Sequence, residues 1–109
     1  MITRDDFEKL DIRVGTILEA SELEQARKPA YKLIIDFGSE GVKKSSAQLT
    51  ANYKPHQLIG KQIIAVVNFP PKQIAHIISE CLVLGVVGDG ADVVLLQPDQ
   101  QVANGLKIA

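Results

Sequence analysis

Tyr53-Lys54-Pro55-His56-Gln57-Leu58-Ile59-Gly60-Lys61, running directly into Gln62-Ile63-Ile64-Ala65-Val66-Val67-Asn68, sets a helix signal against a strand signal. Proline near the start and glycine just past the end predict one or two turns of helix. The nearly unbroken apolar run that follows has strand length and predicts a central strand buried on both faces. Phe69-Pro70-Pro71 then stops it, because proline supplies no ladder N–H. A short helix feeding a central strand is the pivot around which the other segments arrange.

Upstream of that helix the chain reads as three strands. Asp11 to Ala20 alternates, with Ile12, Val14, Thr16 and Leu18 on one side and Arg13, Gly15, Ile17 and Glu19 on the other. Gly15 in mid-strand predicts a bend or bulge. Ser21 to Pro29 is a polar loop, Lys32 to Phe37 a second strand, and Gly38-Ser39-Glu40-Gly41 a hairpin turn. The third strand, Val42 to Leu49, carries Lys43-Lys44-Ser45-Ser46-Ala47-Gln48, small or polar on both faces. Such a strand is either a binding face or a lysine-protected edge.

Downstream, Lys72 to Ser79 contains Ile74, Ala75, Ile77 and Ile78 and is expected to pack as a tight turn of helix. A fifth strand is expected at Glu80 to Val87, a turn at Gly88-Asp89-Gly90, and a further strand at Asp92 to Gln97. At the N-terminus, Thr3 caps a short helix over 3–10 with acids in its first turn. Three strands, a short helix and two strands is the order of the OB fold, a five-stranded Greek-key barrel. The fold class is therefore all-β with short helices, in one domain over 1–109: helix 3–10, barrel core 11–88 and a C-terminal extension 89–109. Phe7, Leu10, Val102, Leu106 and Ile108 lie outside the five-strand count, and two chains pairing over them, a homodimer, is expected to cover them.

Composition narrows the function. The chain has 109 residues, 46% hydrophobic but only 5% aromatic with no Trp, so Ile, Val, Leu and Ala must build the core. No apolar run reaches the roughly 18 residues a membrane span needs, and Met1 runs straight into charge, so a cytoplasmic protein without membrane insertion is expected. Cys81 stands alone in an apolar string and reads as a buried small hydrophobe. The net charge of −1 hides an uneven spread. Residues 1–26 carry three basic and seven acidic side chains (−4), 27–72 eight and two (+6), and 73–109 one and four (−3). A basic middle can offer a cationic face to a phosphate backbone or another anionic partner.

Catalysis has little to stand on. His56 and His76 lie in different elements, and no spacing resembles a zinc set or a Cys-His nucleophile pair. The glycines are scattered at turns, so no phosphate loop is present, and Asp5, Asp6, Asp89 and Asp92 fall in a cap and a turn. No catalytic residue, metal or cofactor is expected. On an OB barrel, ligands meet strands two and three and the loops joining strands one to two and four to five. Arg27, Lys28, Lys32, Lys43, Lys44 and Lys72 map there, with Asn68, Gln73 and Ser79 as neutral donors and acceptors. Few aromatics lie nearby, which favours a folded RNA's shape over stacked single-stranded bases.

Some strings go further than pattern. Asp11-Ile12-Arg13-Val14-Gly15-Thr16-Ile17 resembles the opening strand of the tRNA-binding OB domains appended to some methionyl- and tyrosyl-tRNA synthetases. Leu58-Ile59-Gly60-Lys61 and Val66-Val67-Asn68 resemble their helix and fourth strand. Ala26-Arg27-Lys28-Pro29-Ala30-Tyr31, Lys44-Ser45-Ser46-Ala47-Gln48, Asn68-Phe69-Pro70-Pro71-Lys72-Gln73-Ile74-Ala75 and Leu95-Leu96-Gln97-Pro98-Asp99 are similar to one branch of that family. Members of that branch are homodimers described as export-related chaperones, and the resemblance implies unfolded precursor proteins and the secretion ATPase as partners. It also implies tRNA binding, with Lys43, Lys44, Asn68, Lys72 and Ser79 at the matching positions. Phe69, Pro70, Pro71, Ile74 and His76 are the expected peptide-binding positions, the first four as apolar surface.

Overall fold

The computed structural model describes residues 1–89 and 93–109. Its elements are α1 (Arg4–Glu8), β1 (Ile12–Glu22), β2 (Tyr31–Asp36), β3 (Val42–Ala47), α2 (Pro55–Leu58), β4 (Gln62–Val66), β5 (Lys72–Ile74), β6 (Ile77–Ser79), β7 (Leu82–Val83), β8 (Gly85–Val87) and β9 (Val93–Leu95). Gly90 and Asp92, read above as parts of a turn and a strand, lie outside the described residues. Five strands form one antiparallel sheet in the order β3-β2-β1-β4-β7, with α2 between β3 and β4. The sheet nearly closes into a barrel of the OB type.

The core inside it is mostly aliphatic, with the rings of Phe37 and Tyr31 among its buried members. Ile17, Leu33, Ile35, Phe37, Leu58, Ile63 and Ala65 are fully buried. β2 shows why alternation works: Tyr31, Leu33 and Ile35 face in while Lys32, Ile34 and Asp36 are half-exposed. β4 is buried on both faces at Gln62, Ile63, Ala65 and Val66, as a central strand should be. At the N-terminus, Thr3 and Asp6 exchange two hydrogen bonds across the first turn of α1. The Thr3 backbone N–H holds the Asp6 carboxyl below its ordinary range.

β1 does not keep one face inward along its length. Ile12 and Val14 are buried, but so are Gly15 and Ile17, and Leu18 is 44% exposed. Leu18, expected inside, is the extra residue of a β-bulge where the register against β2 slips between Ile17 and Glu19. Gly15 serves a different need from the expected bend. A Cβ there would sit 2.7 Å from Ile35 Cγ2 and from the Phe37 ring, so its bare backbone makes room for the ring.

Two other expectations are corrected. Lys72 to Ser79 is a β-hairpin, β5 paired with β6, not a turn of helix. Two of its isoleucines pack sideways: Ile77 is buried with Leu23 and Ala30 in a satellite cluster, against which Ala26, Ile74 and Ala75 lie, while Ile78 is exposed. Ala75 takes φ 53° at the tip. The fifth strand is not continuous over Glu80 to Val87 but divides into β7 and β8. The division falls where the partner changes: the Leu84 N–H donates to Ile64 O of β4, and Leu84 O accepts from Leu96 N–H beyond β9.

The C-terminal tail lies along β1. Gly105 N–H donates to Val14 O, Val14 N–H to Leu106 O, and Ile108 N–H to Ile12 O. Arg13 Nη1 reaches Gly105 O at 3.0 Å, and Thr16 Oγ1 donates to Asn104 Oδ1 at 2.7 Å. Gly105 runs at φ 90°, and a side chain there would collide with the carbonyl of Phe37. Val102 and Ile108 are half-buried by this docking, whereas Leu106 is 52% exposed and Phe7 37%.

Candidate binding surface

The barrel seam between β3 and the strand that follows the β5–β6 hairpin is where the site lies. At one end it is sealed. Glu80 N–H donates to Lys44 O at 2.8 Å, and Lys44 N–H donates back to Glu80 Oε1 at 2.9 Å. Ser45 Oγ donates to Cys81 O, and Ser46 N–H donates to Ser79 Oγ. Glu80 therefore serves as a seam residue. Cys81 is buried beside it, its thiol pushed up to about 11 by desolvation against the opposing pull of the Ser45 hydroxyl and Lys43.

Two hollows open on either side of the β5–β6 hairpin. The larger, about 850 Å³, is walled by the β1–β2 loop (Gln25, Arg27, Lys28), the end of β3 and the two residues after it (Ser46 to Leu49), the hairpin tip (Gln73 to Ala75) and the β7–β9 strands. The smaller, about 510 Å³, is walled by Phe69, Pro70, Pro71, Lys72, Ile74 and residues 79–82. Ser46, Ile74 and Leu82 belong to both, so the two form one surface with Ile74 as the divider. Most of the wall is apolar, and the cations stand at its rim.

The sequence-predicted residues distribute over this surface unevenly. Arg27, Lys28 and Gln73 line the larger hollow; Lys72 and Ser79 line the smaller. Lys32 pairs across the sheet with Ser46 and Ile34 with Lys44, so Lys32 and Lys44 share the face that Ser46 connects to both hollows. Strand alternation sends Lys43 to the opposite face, across from buried Ile35. Asn68 is turned to structural use: its Oδ1 accepts from Asp11 N–H at 2.9 Å and its Nδ2 donates to Lys9 O at 2.8 Å, tying α1 to β4. Phe69, Pro70, Pro71 and Ile74 do come together, while His76 sits at the hairpin turn and lines neither hollow. The half-polar character of the third strand is the signal that pointed here. Gln25, Val83, Gly85 and Leu95 gave no sign, because only the closing of the barrel brings them to the same wall.

Among the described residues no cluster of His, Cys, Asp and Glu could hold a metal ion, and no helix is long and apolar enough to cross a membrane.

A nearly closed five-stranded barrel with its open seam beside a cationic loop defines a class, and residues 12–107 match the family described as "Putative tRNA binding domain". The chain belongs to that tRNA-binding domain family. Within it, the chain is similar to the crystal structure of the chaperone CsaA of Bacillus anthracis, at 55% identity and a TM-score of 0.96 over 100% of this chain and 99% of that one. It is also similar to the CsaA chaperone protein of Picrophilus torridus, at 60% identity and a TM-score of 0.92 over the full length of both. A methionine–tRNA ligase of Methanococcoides burtonii is 38% identical over 105 residues, which are 96% of this chain but 15% of that protein.

Proposed function

We propose that the chain is a non-catalytic chaperone that holds unfolded or precursor polypeptides on the surface formed by the two hollows. The observation that carries this reading is the merging of two mainly apolar hollows at Ser46, Ile74 and Leu82. Apolar walls suit side chains that a folded client would bury. The likeness to two CsaA chaperones over the whole chain supports it. On this reading the protein works in the cytoplasm as a homodimer, with the exposed Phe7 and Leu106 and their neighbours Leu10, Val102 and Ile108 at the contact, and hands clients to the secretion ATPase. The test is dilution of a chemically unfolded protein into buffer with or without the chain. Suppressed light scattering is expected, and Phe69→Ala should weaken it, since Phe69 is exposed in the smaller hollow.

A second reading, tRNA binding, is favoured by the family match, by Arg27, Lys28 and Lys72 in the walls of the hollows and by Lys32 and Lys44 on the adjoining sheet face that carries Ser46. Phosphate contacts predict affinity falling steeply with salt, and Lys32→Ala with Lys44→Ala should flatten that slope by about one to two units. Polypeptide burial predicts weak salt dependence and a negative heat-capacity change. Neither ligand binding would reject both readings.

A further inference from the structure

β3 and β7 run in the same direction, because each is antiparallel to a strand that is antiparallel to β1. They are laced together from Lys44 to Ser46 by the bonds to Ser79, Glu80 and Cys81. Beyond Ser46, among the described residues, no hydrogen bond links Gln48 to β7 or β8, and the larger hollow of about 850 Å³ opens between them.

Register decides where the backbone groups of the two strands point. Leu84 binds Ile64 through its N–H and Leu96 through its carbonyl, so the even-numbered residues of this stretch aim at β4 and β9. The alternation of an antiparallel ladder then sends the N–H and C=O groups of Val83 and Gly85 to the opposite edge. On β3, Lys44 and Ser46 aim outward to the seam, and the strand ends at Ala47, where Leu49 N–H turns back to Ala47 O. Gln48, Val83 and Gly85 all line the hollow. One strand edge with uncommitted donors and acceptors, Val83 to Gly85, thus faces the hollow, over a floor that includes Ala47, Leu49 and Leu95.

Uncommitted edges are templates for another strand. We propose that the gap seats one extended segment of a client polypeptide, which pairs through its main chain with the Val83–Gly85 edge and drops alternate apolar side chains onto the floor. The inference rests on the polypeptide-binding reading and specifies its mode: recognition by backbone, with little dependence on client sequence. A peptide rather than a nucleic acid is selected by the amide edge and the apolar floor, and Arg27 and Lys28 at the rim select acidic flanks. A strand occupies about 160 Å³ per residue from a 3.4 Å rise, 4.8 Å spacing and 10 Å layer thickness. The hollow of about 850 Å³ therefore takes roughly five residues.

The test uses a fluorescein-labelled seven-residue peptide of alternating valine and threonine with a glutamate at each end, titrated with the full chain and read by anisotropy. Two further versions carry N-methyl groups on alternate amides, one on each edge. Saturable binding of the parent is expected, with at least tenfold weakening in one or both methylated versions. Equal affinity of all three peptides overturns the inference. If carboxymethylated α-lactalbumin still binds in that case, the chaperone reading survives and only the strand-pairing mode is lost. If that unfolded protein does not bind either, both fall. Tighter binding of an oligouridylate that displaces the peptide, or peptide affinity that rises as the protein is diluted, would assign the gap to nucleic acid or to a second copy and overturn the inference.

Discussion

The side-chain amide of Gln62 grips both backbone polar groups of Val102: Nε2 donates to Val102 O at 2.6 Å, and Oε1 accepts from Val102 N–H at 3.1 Å. Gln62 is buried on the central strand, and Nε2 also reaches Asn104 Oδ1 at 3.1 Å. One glutamine thereby docks the tail on the barrel. Gln62→Leu keeps the volume but strips these partners, and each polar group left without one costs about 1–3 kcal/mol. Urea denaturation should show a loss of about 2 kcal/mol or more, and hydrogen exchange should accelerate first at residues 102–108.

Asn68 makes the same kind of clamp at the other end of the chain. Asn68→Ala frees Lys9 O and Asp11 N–H and should loosen α1, with a stability loss of about 1–2 kcal/mol. Because both ends of its amide are engaged by backbone, salt titrations with tRNA should give the same slope for wild type and variant.

Ala75 sits at φ 53°, where a Cβ is strained and glycine is not. Ala75→Gly should stabilise the protein by about 0.5–1 kcal/mol, read as a raised thermal midpoint. Unchanged or lowered stability would mean that the contact of the Ala75 methyl with the satellite cluster outweighs the strain.

Gly15→Ala tests the opposite case. Its new methyl would meet Ile35 and Phe37 at 2.7 Å, inside van der Waals contact, in a part of the core without slack. Overpacking of this kind costs about 1–3 kcal/mol, and a shift of the Phe37 ring resonances should accompany it.

Burial raises the Cys81 thiol from 9.0 to about 11, so the folded state holds the proton more tightly than the unfolded one. The stabilisation is complete below pH 9 and is lost as pH rises from about 9 through about 11. Wild type and Cys81→Ala, compared at pH 8 and pH 11, should differ in pH sensitivity by about 2 kcal/mol, the variant losing less. Iodoacetamide at pH 8 should modify the native thiol far more slowly than the unfolded one.

The repetitive signals were legible before any coordinates. The second strand at Lys32 to Phe37, the apolar run from Gln62 to Asn68, proline and glycine around Leu58 and the Thr3 cap each act over a few residues, and each has its counterpart in the structure, the strands with ends shifted by one or two residues to Tyr31–Asp36 and Gln62–Val66. Where two influences competed, the local signal misled. The isoleucines of 72–79 are apolar enough for either a helix or a hairpin, and the satellite cluster with Leu23 and Ala30, some fifty residues away in sequence, selects the hairpin. Leu18 keeps the alternation of its neighbours on paper and loses it to a bulge that exists only because β2 lies alongside.

The sequence by itself determined that there would be a small barrel with a helix between its third and fourth strands and a basic middle, because hydrophobic period, turn chemistry and charge are properties of neighbouring residues. Tertiary structure alone decided which of the basic and amide side chains remain available to a ligand. Lys43 and Lys44 are adjacent in sequence and part to opposite faces of one strand, and Asn68 is committed to the backbone of Lys9 and Asp11. The seam between Gln48 and Val83 comes from the same source, since a gap beside a strand edge belongs to the closure of the sheet and to no single segment of the chain.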